Sequence, residues 1–339
     1  MKIMITGAAG GIGSTLSMLL TNKGHKVYAV DNLNNGYMDN LFENNRPVFH
    51  KFFREDIRDT KKMIDIIYGE NIEKIIHLAA ITALPVAESD PYECMSVNVA
   101  GTASVLDAAR QFGIHTIVAS TSAIYENNHK TEAPFKEHIE VNPRLMYPLS
   151  KKLMENIIHS YMVNYDLNVT TLRFFNVFGP RQDIHRKSPP LVNYIVREIK
   201  NGRDPVFYSD GRQQRDYVHV DDVVTMIELC MTHKNALNQT FNLCTGTLTS
   251  VRDIVSWSKE AFNKDINHTF IPAKSYWSEY NVLHDGNKPL QRCVIEHEVN
   301  KYALGSYHMA HKLIGWQPNC DIKSLMIDTM RKNYEHYSE

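Results

Sequence analysis

Tyr147 and Lys151 are two residues whose types and spacing suit them to proton transfer. They lie four positions apart in a segment with helical apolar spacing, so their side chains share one helix face. A tyrosine phenol has a pKa of about 10 and is a poor base at neutral pH, but a nearby ammonium favours the phenolate. The pair therefore predicts a tyrosine general base, with the lysine lowering its pKa.

Thr121 adds weight to this pair, since the same spacing often arises by chance. It follows a strand predicted over residues 116–119 and is expected on the loop after that strand. From there its hydroxyl is placed to hydrogen-bond both Tyr147 and an oxygen atom of a substrate. The three side chains together predict a site that moves a proton to or from a hydroxyl group.

A glycine-rich turn forms the second motif, with Gly7, Gly10 and Gly13 directly after a predicted strand and before a predicted helix. Backbone N–H groups at such a bare helix N-terminus can approach a pyrophosphate, which the helix dipole also favours. Gly13 would allow the helix to pack closely on the strand. A sharp strand-to-helix turn also favours glycine without any ligand, so the motif alone leaves both interpretations open.

Asp31 favours the cofactor interpretation, because it ends the second predicted strand 18 residues after Gly13. A carboxylate near this separation accepts hydrogen bonds from the hydroxyls of an adenosine ribose and repels a 2′-phosphate. Residues 32–36 contain no arginine, which favours NAD over NADP. The alternative is that Asp31 only starts the turn over residues 31–36.

Strands and helices that alternate along the chain must position these residues. Short apolar strands are predicted at residues 2–5, 27–30, 75–78, 116–119 and 169–175, and helices at 14–23, 97–112, 147–161, 191–200 and 221–231. This alternation predicts an α/β fold, a Rossmann-like doubly wound parallel sheet covered by helices on both faces.

The loop-rich segment 179–190, which contains three prolines, indicates a boundary between two domains. We expect a Rossmann domain over residues 1–175 and a smaller C-terminal α/β domain, mainly for substrate binding, over 176–339. Parts of 215–245 are expected to return to the Rossmann domain. A chain of 339 residues is long enough for two such units.

Composition and charge exclude several classes of function. Lys and Arg total 37 against 38 Asp and Glu, so no basic excess serves nucleic acid or an anionic membrane, and no apolar run is long enough to span a bilayer. The five cysteines are widely spaced and the 16 histidines contain no zinc-like pair, so we expect neither a disulfide framework nor a metal site. A soluble, cytoplasmic protein is the expectation.

The order of the motifs resembles that of the extended short-chain dehydrogenase/reductases, in particular the NAD-dependent nucleotide-sugar epimerases and dehydratases. The resemblance covers nearly the whole length of the chain. It rests on the glycine turn at 7–13, Asp31-Asn32-Leu33, Asp56-Ile57, His77-Leu78-Ala79-Ala80, Asn98-Val99-Ala100-Gly101-Thr102, the segments 120–125, 147–151, 173–181 and 215–222, and Ile314-Gly315-Trp316.

This resemblance implies a role for each matching position. The implied contacts with NAD are Gly7, Gly10, Gly11, Ile12, Gly13, Asp31, Asn32, Asp56, Ile57, Leu78, Ala79, Ala80, Asn98, Tyr147 and Lys151. The implied catalytic residues are Thr121, Tyr147 and Lys151. The implied substrate contacts are Thr121, Ser122, Asn176, Arg215 and Arg292, with Asn176 and Arg215 on the diphosphate of a nucleotide sugar. The alternative for Arg215 is a surface salt bridge with Asp216 or Asp210.

Ser122 and Ala123 narrow the reaction that the resemblance implies. Dehydratases of this family carry an Asp-Glu pair at these two positions, and the sugar-acid decarboxylases carry a Glu at the second. Neither side chain of this sequence titrates usefully, so we do not expect dehydration or decarboxylation by the usual route of the family.

The remaining reaction needs only a hydride path and one hydroxyl proton. Residues 31–33 and 175–182 are most similar to UDP-hexose 4-epimerases, so we expect a 4-epimerase that oxidises C4 transiently and returns the hydride to the opposite face. A nucleotide-sugar C4 dehydrogenase or 4-ketoreductase is the alternative, and a non-catalytic NAD-sensing protein on the same fold is a more distant one. The resemblance also implies a homodimer joined by the helices at residues 102–112 and 147–161.

Overall fold

Strands and helices alternate through the first half of the computed structural model, which describes residues 1–128 and 132–336. In chain order these elements are β1 (Lys2–Thr6), α1 (Gly11–Asn22), β2 (Lys26–Val30), β3 (Phe42–Glu43), β4 (Arg46–Pro47), β5 (Lys51–Phe53), α2 (Thr60–Glu70), β6 (Lys74–His77), α3 (Leu84–Ser89), α4 (Pro91–Met95), α5 (Thr102–Gln111), β7 (Thr116–Thr121), α6 (Met146–Tyr165) and β8 (Val169–Phe174).

The second half of the chain contains shorter strands and the C-terminal helices. These elements are β9 (Asn176–Phe178), α7 (Leu191–Lys200), β10 (Val206–Tyr208), β11 (Gln214–His219), α8 (Val220–Thr232), β12 (Thr240–Leu243), β13 (Leu248–Ser250), α9 (Val251–Phe262), β14 (Thr269–Ile271), α10 (Arg292–Asn300), α11 (His308–Ile314) and α12 (Ile322–His336). Among the helices described, none is both long and apolar enough to cross a bilayer.

A parallel sheet of seven strands confirms the predicted Rossmann-like α/β fold. Its strands pair in the order β5-β2-β1-β6-β7-β8-β12. Because β1 lies between β2 and β6, the direction in which the chain winds reverses at β1. Ligands of open α/β sheets bind at the carboxyl ends of the strands beside such a reversal. The glycine turn that begins at Gly7 lies at this point.

Helices cover both faces of the sheet, as the continuous apolar strands predict. One face packs against α1 and α8, and the other against α2, α5 and α6. A separate core lies between α7, α9 and α12, where Ile195, Ile254 and Met326 are fully buried. The chain leaves the main sheet after β8 and returns to it at β12.

Several elements begin or end a few residues from their predicted bounds, and two of these differences involve expected site residues. The strand predicted over 116–119 extends through Ser120 and Thr121, which pair with Arg173 and Phe174 of β8. Thr121 therefore ends β7 and does not lie on the following loop. Ser120 is buried within the strand despite its polarity, and its hydroxyl donates to Glu155. The helix predicted over 97–112 begins instead as the π-helical turn Ser96–Gly101, and α5 follows it.

Candidate active site

A cavity of about 170 Å³ lies at the carboxyl ends of β7 and β8. The segments that line it are the end of β7 and the turn after it, the start of α6, the region from β8 to β9, β11, and the segment after α10. Its lining residues are Thr82, Leu84, Thr121, Ser122, Ala123, Tyr125, Glu126, Phe135, Tyr147, Phe174, Phe175, Asn176, Arg215, Glu298, Lys301, Tyr302 and Ala303. The cavity thus brings together Thr121, Tyr147 and three of the expected substrate contacts.

Tyr147 and Thr121 both line the wall of this cavity, where Thr121 favours the phenolate of Tyr147. Tyr147 lies in the first turn of α6, and Thr121 is an acceptor for the N–H of Ala123 at 3.1 Å. Burial raises the pKa of Tyr147 to about 12, while the hydroxyl of Thr121 opposes this rise. The phenol is therefore protonated at neutral pH in this structure, and Thr121 lowers the cost of forming the phenolate.

Lys151 lies one turn after Tyr147 on α6 and is only 3% exposed. Its Nζ donates to the carbonyl oxygen of Ala119 at 2.8 Å, and burial lowers its pKa to about 8. The neighbouring charges that act on the Tyr147 pKa are those of Cys94, which raises it, and Arg186, which lowers it. Lowering of the Tyr147 pKa by Lys151 stays a prediction for the enzyme with its ligands bound.

The glycine turn is compact enough to require the absence of side chains. Gly7 has a φ of +69°, and a Cβ built on it would lie 2.7 Å from the backbone nitrogen of Ala79. A Cβ on Gly13 would lie 2.2 Å from the carbonyl oxygen of Gly7. Gly10 is the N-cap of α1 and presents only backbone there, whereas Gly11 and Ile12 begin the helix. The turn therefore fits the approach of a pyrophosphate to the helix N-terminus.

Asp31 holds the glycine turn to the end of β2. Its Oδ2 accepts a hydrogen bond from the N–H of Ala9 at 2.9 Å, and its Oδ1 accepts one from Leu33 at 2.8 Å. Burial raises the pKa of Asp31, and these two N–H groups oppose the rise. Each oxygen keeps a further lone pair. The carboxylate can therefore accept hydrogen bonds from two ribose hydroxyls as well.

The other expected adenosine contacts lie beside this turn or at its rim. Asp56 pairs with Arg58 at 2.8 Å, and Asn32 donates to Asp56 at 3.4 Å. The hydrogen bond that Asp56 accepts from Arg58 is the main reason that the pKa of Asp56 is lowered. Ile57 is 5% exposed and packs into the core below.

Leu78, Ala79 and Ala80 directly follow β6 and lie next to the glycine turn. The N–H of Leu78 donates to the carbonyl oxygen of Thr6 at 3.1 Å, and that of Ala79 to the Thr6 hydroxyl at 3.4 Å. These contacts place the segment along the edge of the predicted pyrophosphate site.

Asn98 uses its amide within the protein. Its Oδ1 accepts from the N–H of Ile81 at 2.8 Å, and its Nδ2 donates to the Ile81 carbonyl and to Ser150 Oγ, each at 2.9 Å. The side chain is fully buried. It joins the segment after β6 to α6, so a direct contact of Asn98 with NAD stays a prediction.

Arg215 lines the cavity, but its guanidinium is bound to backbone carbonyls at the end of α10. It donates to Glu298 at 2.9 Å, to Val299 at 3.1 Å and to Lys301. The salt bridge suggested as an alternative is not formed within the described residues. Asp216 instead accepts from the N–H groups of residues 245, 246 and 305, and Asp210 pairs with Arg212 at 3.6 Å.

Of the other expected substrate contacts, Ser122 and Asn176 line the cavity and Arg292 does not. Asn176 donates its Nδ2 to the carbonyl oxygen of Asp216 at 2.9 Å. Arg292 is exposed at the first turn of α10 and lies outside the cavity wall. Its contact with substrate stays a prediction.

Three charged residues of the cavity wall were not predicted from the sequence. Glu298 and Lys301 form a largely buried ion pair at 2.6 Å, and Glu126 lies on the same wall with 7% of its surface exposed. Residues 298 and 301 belong to a segment without a recognisable motif. Glu126 directly follows the 3₁₀ turn Ser122–Tyr125 and lies three residues after Ala123, which also lines the cavity. This i, i+3 spacing was the sequence signal that could have indicated Glu126.

Comparison with known proteins gives a consistent family. The family model described as GDP-mannose 4,6 dehydratase matches residues 4–329. The UDP-glucose 4-epimerase of Mycolicibacterium smegmatis is 34% identical over 254 residues, which cover 75% of this chain and 80% of that protein.

Two solved structures extend this similarity over the whole fold. The UDP-glucose 4-epimerase of Thermotoga maritima with UDP-glucose has a TM-score of 0.85 and 26% identity, and 99% of each chain is covered. That of Thermus thermophilus in complex with NAD has a TM-score of 0.82 and 26% identity, with 100% of each chain covered.

Proposed function

From its place among the nucleotide-sugar epimerases and dehydratases of the extended short-chain dehydrogenase/reductase family, to which this chain belongs, we propose that it is an NAD-dependent nucleotide-sugar 4-epimerase of the UDP-hexose type. The placement of Thr121 and Tyr147 together on the wall of one cavity is the observation that carries this proposal. Such a pair accepts and returns one hydroxyl proton. Ser122 and Ala123 line the same cavity without offering the acid–base pair that elimination of water requires.

The residues present at the carboxyl end of β1 fit NAD. The bare N-terminus of α1 suits the pyrophosphate, and the buried carboxylate of Asp31 suits the ribose hydroxyls. We propose the same set of contacts that the sequence implies, namely Gly7, Gly10, Gly11, Ile12, Gly13, Asp31, Asn32, Asp56, Ile57, Leu78, Ala79, Ala80, Asn98, Tyr147 and Lys151. When bound, NAD supplies a hydride acceptor for C4 of the sugar and the hydride that returns to it.

Tyr147 is the proposed acceptor of the proton from the C4 hydroxyl. Thr121, on the same cavity wall, would orient the C4 hydroxyl toward the phenol of Tyr147, so that the proton passes directly between them. After the transient ketone has turned in the site, Tyr147 gives the proton back to the oxygen on C4. Lys151, with a pKa of about 8, supplies an ammonium one helical turn away that favours the phenolate.

The nucleotide sugar would bind in the cavity and along β11. We propose Ser122 beside the sugar, and Asn176 and Arg215 on the diphosphate. Arg215 must then exchange carbonyl oxygens of α10 for phosphate oxygens, which match a guanidinium better because they are charged. A contact from Arg292 would require α10 to shift toward the cavity.

A homodimer through α5 and α6 is the proposed assembly. Leu153, Ile157, Tyr161 and Tyr165 form a row at four-residue spacing on α6, with Leu153 38% and Tyr165 55% exposed. Met154 and Ile158 of this helix lie in the core of the sheet, and Ile157 and Tyr161 pack against its edge while staying partly exposed. An apolar row that the core covers only in part suits a second copy of the same helix.

The domain division and the cellular location are proposals as well. We place the Rossmann domain at 1–175, with parts of 215–245 added, and the substrate domain in the remainder of 176–339. The return of β12 to the main sheet and the separate core of α7, α9 and α12 support this division. The five cysteines are free, which supports a reducing, cytoplasmic location.

Incubation of the purified protein with a panel of UDP-, GDP-, CDP- and dTDP-sugars, with and without added NAD, tests the function. NMR of the sugar and the absorbance of reduced nicotinamide are followed together. We expect a C4 stereoisomer of a UDP-hexose without net formation of NADH. Stoichiometric NADH with a keto sugar, or turnover that consumes a reductant, would assign the protein as a C4 dehydrogenase or 4-ketoreductase instead.

A further inference from the structure

The helix that carries Tyr147 receives the acceptors for its first N–H groups from other parts of the chain. Leu145 is the N-cap of α6, and its apolar side chain cannot accept a hydrogen bond. Pro148, in the first turn, has no N–H. The N–H groups of Arg144, Leu145 and Met146 nevertheless all donate to carboxylates. The start of the helix is therefore held from outside.

Glu126 and Glu88 supply these carboxylates. Oε1 of Glu126 accepts from Leu145 at 2.9 Å and also from Arg144. Oε1 of Glu88, a residue of α3, accepts from Met146. Two glutamates from separate elements thus bind three consecutive N–H groups at the start of α6.

A buried glutamate beside a partly buried one is unfavourable unless the site compensates their charges. Burial raises the pKa of both Glu126 and Glu88, and the charge of Glu126 raises that of Glu88 further. The N–H groups of the helix start oppose these rises, and the positive end of the helix dipole favours both charges. Each carboxylate therefore depends on the position of α6, and α6 depends on them.

Glu126 also joins the two elements that carry Thr121 and Tyr147. Thr121 ends β7, and the 3₁₀ turn that follows leads to Glu126, whose N–H donates to the Ala123 carbonyl at 3.0 Å. Across the cavity wall, Glu126 binds Leu145, two residues before Tyr147. A chain of contacts therefore runs from Thr121 through Glu126 and Leu145 to Tyr147, which lines the same cavity wall as Thr121.

We propose that Glu126 and Glu88 are positioning residues that fix the backbone of Tyr147 relative to Thr121. The inference rests on the proposed function, since the step they support is proton transfer by Tyr147. Neither glutamate needs to touch the sugar for this role. The effect is expected in kcat, because a small displacement of a proton-transfer group lowers the rate of the chemical step while leaving binding of the ligands intact.

Variants at both positions test this role in the full-length enzyme with NAD and a UDP-hexose. Glu126→Ala removes the acceptor of two N–H groups, and we expect kcat to fall about 10-fold or more while KM and the Kd of NAD change by less than about threefold. Glu126→Gln keeps a carbonyl oxygen that can accept from both N–H groups, so it should restore most of kcat. Glu88→Ala, which frees only Met146, should lower kcat by less.

Glu198→Ala provides the matched control. Glu198 is also 7% exposed, but it lies on α7, pairs with Arg197 and Arg203, and does not line the cavity. All variants are assayed at a temperature at which circular dichroism shows them folded, and the control should keep the wild-type kcat. If Glu126→Ala does not fold, the kcat of Glu88→Ala tests the proposal instead.

Three results would overturn the inference: a wild-type kcat in the alanine variants, a failure of Gln at position 126 to rescue, or a rise in KM without a fall in kcat. An inactive wild-type protein would instead contradict the proposed function itself. The two failures are therefore distinguishable in one set of assays.

Discussion

Tyr147, at the start of helix α6, and Thr121, at the end of strand β7, line the wall of one cavity. A sugar hydroxyl bound there therefore meets an acceptor and an orienting group together. Burial holds the Tyr147 pKa at about 12, and Thr121 lowers the cost of the phenolate. This pair supplies the proton-transfer half of the proposed reaction.

Replacement of Tyr147 by Phe removes this acceptor and should lower kcat by about 10²- to 10⁴-fold, the usual contribution of a general base. The affinity for NAD should stay nearly unchanged, because the glycine turn and Asp31 are intact. Turnover by NMR and NAD binding by titration calorimetry measure the two effects. Tyr161→Phe, on the same helix, is the control and should stay active. Normal turnover of Tyr147→Phe would refute the mechanism.

Replacement of Asp31 by Asn should weaken NAD binding by about 10-fold or more, because charge-assisted hydrogen bonds to ribose hydroxyls are lost. The ratio of the affinity for NAD to that for NADP should fall, since the repulsion of a 2′-phosphate disappears. Calorimetric titration with both cofactors measures the ratio. Asp65→Asn, at an exposed position of α2, is the control. An unchanged ratio would mean that Asp31 only shapes the turn through Ala9 and Leu33.

Gly13→Ala should destabilise the fold and abolish NAD binding. The added Cβ would lie 2.2 Å from the Gly7 carbonyl oxygen and 2.8 Å from the Ala8 Cα. Both are backbone atoms, which cannot move away without distorting the turn. We expect a loss of about 1–3 kcal/mol in the free energy of unfolding. Gly69→Ala, at an open position of α2, should raise it by up to about 1 kcal/mol. Urea unfolding measures both, and equal effects of the two would contradict the tight turn.

His77 should make the free energy of unfolding sensitive to acid. It lies between the hydroxyls of Thr6 and Thr102, and burial lowers its pKa to about 3. Between that value and the usual pKa of about 6.5, only the unfolded chain binds the proton, so stability falls as the pH falls.

Each pH unit in this window should cost up to about 1.4 kcal/mol from His77. Urea unfolding of His77→Gln at a series of pH values should show a weaker dependence of the free energy of unfolding on pH. The slope should be reduced by the contribution of roughly one proton. His115, with a pKa lowered to about 4, remains in both proteins and contributes equally. An identical slope in the variant would show that His77 does not carry this dependence.

Leu153→Glu should separate the proposed dimer. A charge at the first position of the apolar row on α6 would be buried against the other copy in a two-fold contact, which is strongly unfavourable. Small-angle scattering and sedimentation at micromolar concentration should show a dimer for the wild type and a monomer for the variant. A monodisperse wild-type monomer under these conditions would contradict the assembly.

The local motifs of the site could be predicted from the sequence because their geometry depends on residues close in the chain. The spacing of Gly7 to Gly13, the position of Asp31 after β2, and the i, i+4 relationship of Tyr147 and Lys151 each follow from one element and its turn. Their side chains lie where a regular strand or helix puts them.

The parts that could not be predicted depend on segments distant in sequence. Arg215 is bound by carbonyls up to 86 residues away at the end of α10, which no local pattern reveals. Asn98 matches a family motif, yet its amide is used by Ile81 and Ser150. The apolar pattern of β7 ends at Ala119, because burial of the last two residues of the strand depends on partners in β8 and α6.

Epimerisation of UDP-glucose that carries deuterium at C4 tests the central claim most directly. If the enzyme removes the hydride from C4 and returns it to the opposite face, the C4 epimer should keep its deuterium and no net NADH should form. Loss of the deuterium to solvent, or a 4-keto sugar with stoichiometric reduced cofactor, would contradict the account.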